Sequence, residues 1–320
     1  MKIVVLDAET VRLEEVEWEG VSVLGDLVLH DFTPDETAVI VERCGSAEIV
    51  LTNKVPLSAE VIGALPDLRM IGVLATGYNV VDVGAAKEHG VAVCNVPGYS
   101  TDSVAQHTLA LILELTNHVA RHHASVYNGD WVKSRHFCYW KSEIRELADM
   151  TVGLVGFGDI GRRVGSVVSA LGARVIAHTR TPKDAPDWPG FAFVGRDELL
   201  AEPDIVSLHC PLTPETERMI DADALGKMKR GAVLINTARG QLVDEAALAA
   251  ALNRGVISGA GIDVVSTEPM RADNPLLDAR NCIMTPHIAW AGRRARKRLL
   301  EITAQNVRSF IEGSPVNRVA

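Results

Sequence analysis

Apolar residues recur along the chain in short runs, and between these runs they return at every third or fourth position. Short runs rich in Val and Ile are typical of buried strands, and the longer period is typical of amphipathic helices. Before residue 101 the predicted strands lie in KIVVLD, DLVLHD, EIVLTN, MIGVLATG and VAVCNVPG. The alternation then restarts with TVGLVGFG, RVIAHT, FAFV, DIVSLHC, AVLINTARG, GAGIDVV and CIMTPH. The pattern predicts an α/β protein with two doubly wound units, each a parallel sheet covered by helices.

Two longer amphipathic segments lie outside this alternation. Residues 101–119, TDSVAQHTLALILELTNHV, begin with capping-type residues and carry apolar residues at helical spacing, which predicts one long helix that links the units. Residues 292–313 have the same period and end at Gly313, before Pro315, as helices commonly do. The Arg and Lys residues of this last segment indicate a solvated helix face, with nucleic-acid binding as the minor alternative.

Composition narrows the class of protein further. The 320 residues, 47% hydrophobic and 23% charged, suffice for two globular domains with separate cores. A net charge of -9 argues against nucleic-acid binding through a broad basic surface, and no apolar run approaches the roughly 20 residues of a membrane span. The first strand-like run starts at Lys2, which leaves no room for a signal peptide, so we expect a cytoplasmic protein without membrane or nucleic-acid partners.

The cysteines and histidines do not indicate a metal site or disulfides. The five cysteines are scattered without a C-x-x-C pair. His118 and His122 have the i, i+4 spacing of two metal ligands, but no acidic residue lies between them in the H-E-x-x-H manner. A solvated helix face is the better interpretation of this histidine pair.

A glycine-rich loop follows the first strand of the second unit. GFGDIG places Gly156, Gly158 and Gly161 in G-x-G-x-x-G spacing, between the strand TVGLV and a helical pattern that ends at Gly172. Such glycines let the backbone approach a pyrophosphate, and the helix N-terminus supplies amide donors and partial positive charge. An ordinary glycine turn is the alternative, but the strand-loop-helix context favours a dinucleotide site.

The end of the next strand lacks an acidic residue. In NAD-binding loops of this kind, an Asp or Glu about 20 residues after the glycines takes the ribose hydroxyls. Here Thr179 and Arg180 stand at that place, followed by Thr181 and Lys183. Thr179 removes the carboxylate that would repel a 2′-phosphate, and Arg180 offers a planar charged fork to it. The sequence therefore predicts NADP(H) in preference to NAD(H), with Arg180 stacked on the adenine of NAD as the alternative.

Three ionisable residues follow later strands of the second unit: Arg239, Glu268 and His287. Because ligands of open α/β sheets bind at the carboxyl ends of the strands, we expect these side chains at one edge of the sheet. Each alone fits a structural role, as a surface ion pair, a turn cap or a hydrogen-bonded loop histidine. Together, beside a nicotinamide, they supply a cation for an anionic substrate, an orienting carboxylate and a proton donor.

Seven motifs, in order along most of the chain, resemble the D-2-hydroxyacid dehydrogenase family, and within it the glycerate dehydrogenase or hydroxypyruvate reductase branch: LATGYNVVD, VPGYSTDSVAQHTLAL, GFGDIG, SLHCPLTPET, INTARG, GIDVVSTEP and TPHIAW. The resemblance implies a flavodoxin-like substrate domain of residues 1–100, completed by a C-terminal helix in 287–320, and a Rossmann cofactor domain of residues 101–286. It places the active site in the cleft between them. It also implies a homodimer built through residues 121–150, a segment that collects several aromatic residues.

The same resemblance implies catalytic roles. Arg239 would clamp the carboxylate and carbonyl oxygen of a 2-ketoacid through its planar fork. His287 would give its proton to the carbonyl, and Glu268 would favour the protonated form of that imidazole.

The resemblance further implies binding residues in both domains. Thr76 and Gly77 would offer backbone amides to the substrate carboxylate, and Lys54 would be a second cation in the pocket, an exposed loop lysine being its alternative. Asp263 would hold the nicotinamide amide. The remaining cofactor contacts would be Thr108, Asp159, Ile160, Cys210, Pro211, Thr216, Thr237, Ala238, His287 and Ala289.

The activity implied is NAD(P)H-dependent reduction of hydroxypyruvate or glyoxylate to D-glycerate or glycolate. Another 2-ketoacid as substrate is one alternative. A dinucleotide-sensing corepressor or scaffold is another, because fold alone does not determine function. Formate dehydrogenases are similar in architecture, but they pair the active-site histidine with Gln, and Glu268 argues against that activity.

Overall fold

The computed structural model describes residues 1–12, 18–182 and 184–320. Lys183, named above as a donor to the 2′-phosphate, lies outside the described residues. The chain divides into two compact units, one formed by Met1–Ser100 with Trp290–Ala320 and the other by Thr101–Ala289. The second unit therefore includes His287, which the resemblance had assigned to the C-terminal segment.

The first unit is built on a parallel sheet of five strands, β1 (Lys2–Val5), β2 (Asp26–Leu29), β3 (Ile49–Thr52), β4 (Met70–Val73) and β5 (Ala92–Cys94). Their order is β2-β1-β3-β4-β5, which is the flavodoxin-like order. The connecting helices are α1 (Glu19–Ser22), α2 (Thr37–Cys44), α3 (Ala59–Gly63) and α4 (Val83–Glu88).

The central strands of this sheet are buried on both faces, as parallel sheets usually are. All four residues of β3 and of β4 are buried. Along β1 the side chains alternate, so that Ile3 and Val5 enter one core cluster and Val4 enters another. Short helices begin at capping side chains, since Ser58 accepts from the amide of Val61 at the start of α3.

The second unit opens with α5 (Thr101–Asn117) and α6 (Val119–Tyr127). Seven parallel strands follow, β6 (Thr151–Val155), β7 (Arg174–His178), β8 (Ala192–Phe193), β9 (Ile205–Leu208), β10 (Val233–Asn236), β11 (Gly259–Ile262) and β12 (Cys282–Met284). The helices between them are α7 (Asp159–Ala170), α8 (Arg196–Ala201), α9 (Ala222–Lys227) and α10 (Glu245–Arg254). The strand order β12-β11-β10-β9-β6-β7-β8 is the Rossmann arrangement with one added edge strand. The predicted fold class and all predicted strands are thus confirmed.

The predicted single helix over residues 101–119 is wrong at its end. α5 stops at Asn117, and His118 takes a left-handed conformation with φ 52° before α6 starts at Val119. The apolar period continues through this point, which is why the sequence pattern did not mark the break.

The chain returns to the first unit in α11 (Arg293–Ile311). Its apolar face, which includes Leu299 and Val307, packs in the same core cluster as Ile3 and Met70. The basic face is more than a solvated surface, because the guanidinium of Arg298 donates to the carbonyl oxygen of Tyr99 at 2.7 and 2.9 Å.

The end of the chain adds to the sheet of the first unit. Beyond α11, the amide of Val319 donates to the oxygen of Val93 at 2.7 Å, so the chain end lies antiparallel to β5.

Across residues 1–12, 18–182 and 184–320, no helix is both long and apolar enough to cross a membrane.

Candidate active site

The carboxyl ends of six neighbouring strands meet at one edge of the seven-stranded sheet. Because all strands are parallel, the residues that follow β6, β7, β9, β10, β11 and β12 lie along this edge. These residues are Gly156, Thr179, His209, Thr237, Asp263 and Thr285. The sequence-predicted residues of the second unit therefore gather on one side of its sheet.

The glycine loop after β6 has the geometry of a pyrophosphate cradle. Gly156 has φ 96°, and a Cβ there would lie 2.7 Å from the backbone of His209 and Cys210, so only glycine fits. A Cβ on Gly158 would meet nothing within 4 Å, which leaves open space at the N-terminus of α7. No side chain caps that first turn, which begins at Asp159 and Ile160. Backbone amides there suit a pyrophosphate, and these residues fit a dinucleotide cofactor.

Thr179 and Arg180, the predicted ribose-side residues, follow β7. Thr179 is half-buried after β7, and Arg180 is exposed. Hydrogen bonds from the Thr213 hydroxyl and from the amide of Glu215 itself, together with the positive charge of Arg180, hold the pKa of Glu215 below its usual range. Glu215 therefore lies within electrostatic reach of Arg180, which the sequence did not indicate.

The loop after β9 is ordered by its own side chains. The Thr216 hydroxyl donates to the oxygen of Pro211 at 2.8 Å and accepts from the amide of Thr213 at 2.7 Å. Burial raises the pKa of Cys210 to about 11, so its thiol stays protonated at neutral pH. Burial lowers the pKa of His209 to about 4, and its Nε2 lies 2.9 Å from the Ser207 hydroxyl. His209 is thus a neutral structural residue beside the glycine loop.

Asn236, the last residue of β10, shapes the turn that presents Arg239. Its buried amide accepts from the amide of Ala238 at 3.0 Å and donates to the oxygen of Arg239 at 2.9 Å. One guanidinium nitrogen of Arg239 donates to the oxygen of Ala238 at 2.6 Å. The other N–H donors of this half-buried side chain suit a carboxylate. Asn236 was not predicted as a site residue, although a polar side chain ending an apolar strand was the available signal.

Gly240 brings the Arg239 turn against the loop that follows β11. A Cβ at Gly240 would overlap the backbone of Val265 and Ser266. A larger residue would push the two strand-end loops apart. The close approach therefore sets the spacing between the loop of Arg239 and the loop of Glu268.

His287 and Glu268 form a direct pair, as predicted from the strand ends. Nδ1 of His287 lies 2.6 Å from Oε2 of Glu268, and Oε1 of the same carboxylate accepts from the amide of Val265 at 3.2 Å. A carboxylate can only accept a hydrogen bond, so Nδ1 carries a proton. Nε2 is therefore the ring nitrogen that remains for proton transfer. The pair has the geometry of a proton donor oriented by a carboxylate.

Asp263 holds the loop that carries His287. This carboxylate is 1% exposed. Its Oδ1 accepts from the Thr285 hydroxyl at 2.6 Å and from the amide of Ile288 at 2.9 Å, and Oδ2 accepts from the amide of Ala289 at 2.9 Å. Oδ2 retains one lone-pair position, so the predicted contact with a nicotinamide amide remains compatible with this geometry.

Two further predicted cofactor residues contact each other. The hydroxyls of Thr108 on α5 and Thr237 after β10 are 3.0 Å apart, and both residues are buried. Half-buried Ala238 follows in the same turn. Ala289 is buried, and its oxygen accepts from the Ser103 hydroxyl at 2.7 Å. These residues tie α5 to the strand-end loops.

In the first unit, Lys54 lies on a loop held by a buried carboxylate. Asp7 accepts from the amides of Asn53 at 2.9 Å, Lys54 at 2.5 Å and Val55 at 3.3 Å. Burial raises the pKa of Asp7, and the amide bonds and the charge of Lys54 oppose that rise. The Lys54 residue itself is exposed.

Thr76 and Gly77 lie on the loop after β4, which is also held by hydrogen bonds to the segment after β5. The Thr76 hydroxyl donates to the oxygen of Val96 at 2.9 Å, and the side chain of Asn95 donates to the oxygen of Thr76 at 2.7 Å. Asn306 of α11 donates to the oxygen of Asn95 at 2.8 Å. The C-terminal helix thus supports this loop, a role that its amphipathic period did not reveal.

The histidine pair considered as a metal site is part of a helix start. Nδ1 of His122 bonds the backbone oxygen of His118 at 2.8 Å. Among the residues that the structure describes, no group of three His, Cys, Asp or Glu side chains could hold a metal ion.

Comparison with known proteins gives a family for this arrangement. Residues 109–289 match the model of the D-isomer specific 2-hydroxyacid dehydrogenase NAD binding domain. A hydroxypyruvate reductase of Blautia hydrogenotrophica is 44% identical over 320 residues, which is 100% of this chain and 99% of that protein. A glycerate dehydrogenase of Methylorubrum extorquens is 44% identical over 90% of this chain and 89% of its own length.

A solved structure shows the same likeness at lower identity. The NADPH-dependent glyoxylate/hydroxypyruvate reductase of Sinorhizobium meliloti, solved in complex with citrate, has a TM-score of 0.84 and 27% identity. The match covers 100% of this chain and 97% of that one. Motifs, strand order and relatives agree, and the chain belongs to the D-isomer specific 2-hydroxyacid dehydrogenases, a family of oxidoreductases.

Proposed function

We propose that the protein reduces hydroxypyruvate or glyoxylate to D-glycerate or glycolate, with a reduced nicotinamide dinucleotide as electron donor. The observation that carries the proposal is the His287–Glu268 pair, with Nδ1 and Oε2 2.6 Å apart at the strand edge that also holds Arg239 and the glycine loop. Relatives named hydroxypyruvate reductase and glycerate dehydrogenase, each 44% identical, support the choice of substrates.

The bound cofactor would supply the hydride that reduces the carbonyl carbon. The amides at the start of α7 would hold its pyrophosphate, and Asp263 would accept from its nicotinamide amide through Oδ2. His287 would give the Nε2 proton to the carbonyl oxygen as negative charge develops there. Glu268 would stabilise the imidazolium before that transfer and hold the ring in one orientation.

Arg239 would anchor the substrate carboxylate. Its guanidinium is partly fixed by the bond to the oxygen of Ala238, so fewer rotamers are lost when a substrate binds. Thr76 and Gly77 would add backbone amides, and Lys54 would add a second cation. A small 2-oxoacid is the expected substrate class, and pyruvate and 2-oxoisocaproate are the comparison substrates.

The assay that tests this function follows the oxidation of reduced cofactor by absorbance. Hydroxypyruvate, glyoxylate, pyruvate and 2-oxoisocaproate are each supplied with NADPH and with NADH. We expect the highest catalytic efficiency with hydroxypyruvate or glyoxylate. Cofactor binding without turnover of any 2-ketoacid would instead favour the corepressor alternative.

We also propose NADP(H) as the preferred cofactor. Thr179 places no negative charge at the end of β7, and exposed Arg180 offers a charged donor. The NADPH-dependent relative of known structure supports the same choice. Glu215 opposes it, because its carboxylate lies within the field of Arg180 and would repel a 2′-phosphate. The preference for NADPH over NADH would therefore depend on the attraction by Arg180 relative to the repulsion by Glu215.

The aromatic segment supports a homodimer through residues 121–150. Phe137, Trp140 and Trp131 are 89, 72 and 52% exposed, which is unusual for side chains of this size. Such a surface is the kind that a second copy covers. Sedimentation equilibrium at micromolar concentration should give twice the chain mass, and the double variant Trp140→Ser with Phe137→Ser should shift the protein to monomer. A wild-type monomer under these conditions would contradict the proposal.

A further inference from the structure

We propose that His107 is a positioning residue, which sets the place of His287 through a hydrogen-bond chain that runs over Thr285 and Asp263. The inference rests on the proposed function, since it assigns His107 a part in the delivery of the His287 proton. His107 touches none of the reacting groups and acts only through the loop.

The contacts begin on α5. The mostly buried imidazole of His107 places Nε2 2.9 Å from the Thr285 hydroxyl and 3.5 Å from Oδ1 of Asp263. Thr285 lies two positions before His287 in the chain, directly after β12. The side chains of His107 and Thr285 thereby connect α5 to the loop that carries His287.

The direction of each hydrogen bond follows from what the groups can donate. A carboxylate can only accept, so Oδ1 of Asp263 accepts from the Thr285 hydroxyl at 2.6 Å, in addition to the amide of Ile288. A hydroxyl has a single proton, and Thr285 has given it to Asp263. The oxygen of Thr285 must therefore accept from His107, which places a proton on Nε2 of His107. The chain runs from His107 to Thr285 to Asp263.

The loop needs such support because His287 has an uncommon backbone conformation. Its φ is 53°, in the left-handed region that residues with a side chain seldom adopt. Conformations of this kind persist where neighbouring bonds hold them. Here the amide of His287 donates to the oxygen of Asp263 at 2.8 Å, and the Asp263 carboxylate takes the next two amides. His107 and Thr285 in turn fix the orientation of that carboxylate.

Loss of the His107 donor would leave the Thr285 oxygen without its donor and would free the hydroxyl to turn from Asp263. The carboxylate would then lose one of the bonds that fix its plane. The imidazole of His287 would sample a wider range of positions, and small displacements of a reacting group lower rates steeply, by about 100-fold for 1 Å. Binding of substrate by Arg239 and of cofactor by the glycine loop would be nearly unaffected.

A matched pair of variants tests the donor. His107→Phe keeps the ring and removes the N–H, whereas His107→Gln places an amide N–H close to the position of Nε2. We expect His107→Phe to lower kcat about 10-fold, with KM for the 2-ketoacid within about twofold of wild type. The solvent deuterium isotope effect on kcat should increase, because proton transfer becomes slower. His107→Gln should restore kcat to within about threefold.

A second pair of variants tests the same hydrogen bond by changing Thr285 instead of His107. Thr285→Val removes the hydroxyl at equal size, and Thr285→Ser keeps it. If the chain of bonds is as assigned, Thr285→Val resembles His107→Phe and Thr285→Ser resembles wild type. This pair also decides the question if His107→Phe does not fold, as judged by its melting temperature.

A readout on the protein without cofactor avoids dependence on turnover. Hydrogen–deuterium exchange of the amides of residues 287–289 should be about 10-fold faster in His107→Phe than in wild type, and His107→Gln should stay near the wild-type rate. Exchange in the glycine loop, residues 156–161, should be unchanged. This pattern separates a local effect on the loop from a general loss of stability.

The outcomes distinguish this inference from the proposed function. A wild-type protein that turns over no 2-ketoacid overturns both. An active wild type together with a His107→Phe variant of unchanged kcat and unchanged exchange overturns only the role of His107. Equal losses in His107→Phe and His107→Gln, or in Thr285→Val and Thr285→Ser, also overturn it, because the hydrogen bond would then not be the cause.

Discussion

Both units use a buried aspartate after a strand to hold a loop that carries a candidate site residue. Asp7 follows β1 and accepts from three consecutive backbone amides of the loop that carries Lys54. Asp263 follows β11 and accepts from two consecutive amides of the loop that carries His287. In each case a carboxylate replaces water around amides that would otherwise lie unsatisfied inside the protein.

The two loops differ in what else surrounds the carboxylate. The donors to Asp7 are backbone amides, whereas Asp263 also accepts from Thr285, whose oxygen accepts from His107. Backbone amides alone hold a loop in place, but side-chain donors also fix the plane of the carboxylate. The loop of His287, the proposed proton donor, is thus the more constrained of the two. We therefore expect defects around Asp263 to appear in rate and defects around Asp7 to appear in binding.

The largest expected effect is on the reactive groups of the Asp263 side. His287→Ala removes the proposed proton donor and Arg239→Ala removes the proposed carboxylate anchor, and each should lower kcat/KM about 100-fold to 10,000-fold. Circular dichroism and melting temperature should stay close to wild type, since both side chains are only half-buried. His89→Ala, at an exposed position outside the proposed site and interface, is the matched control. Near-normal activity of either variant would remove that residue from the proposed mechanism.

The next largest effects are expected from substitution of Asp263 and Asp7, which compares the two loops directly. Asp263→Asn presents an NH2 group to the donors of the His287 loop, and we expect kcat to fall about 100-fold. Asp7→Asn does the same to the Lys54 loop, and we expect KM for the 2-ketoacid to rise about 10-fold with kcat nearly constant. Steady-state kinetics with hydroxypyruvate measure both. If the two variants change kcat to the same extent, the division of roles between the loops is wrong.

The expected preference for NADPH over NADH is similar in size to the effects of the two aspartate variants, or smaller. If a charged hydrogen bond contributes about 1.5 to 3 kcal/mol, the ratio of efficiencies with NADPH and NADH should be on the order of 10 to 150. Thr179→Asp combined with Arg180→Ala should reverse it. Glu215→Gln should increase the ratio, because it removes the anion beside Arg180. A wild-type ratio at or below one would show that Thr179 and Arg180 do not select the phosphate.

The smallest expected effect concerns acid stability, to which His209 and Asp7 contribute with opposite sign. Burial lowers the pKa of His209 to about 4, so between pH 6.5 and 4 the unfolded chain binds more protons and stability falls as pH falls. Burial raises the pKa of Asp7, so its contribution falls as pH rises. His209→Gln should reduce the acid loss by about 1 to 3 kcal/mol. Urea unfolding at several pH values measures this difference, with His89→Gln as control, and equal slopes in wild type and both variants would contradict it.

The parallel strands were predictable because burial on both faces imposes uninterrupted apolar runs. Runs such as EIVLTN and DIVSLHC contain β3 and β9, each buried along its whole length. The break at His118 was not predictable, since the helical period of apolar residues continues across it. Periodicity reports which face is buried, and it carries little information on where a backbone turns.

The sequence predicted the site residues whose reactive side chains follow a strand in the chain. Glu268 and His287 were paired on that ground, and they are in contact. The support from His107 was not predicted, because its bond to Thr285 joins segments that only the folded chain brings together. Asn236 instead shapes the turn of Arg239 locally, and its place at the end of an apolar strand was the available signal. Glu215 was missed for the same reason as His107, since its neighbour Arg180 is distant in sequence.

The place of α11 sets an order for folding during synthesis. The second unit, Thr101–Ala289, is contiguous, so it can fold as soon as it has left the ribosome. Residues 1–100 are made first, yet the side of their sheet that bears Ile3 and Met70 lacks the cover of Leu299 and Val307 until these residues emerge. The nascent chain therefore carries an exposed apolar sheet face through the translation of the whole second unit. A chaperone that binds such faces would be expected on residues 1–100 rather than on the later part of the chain.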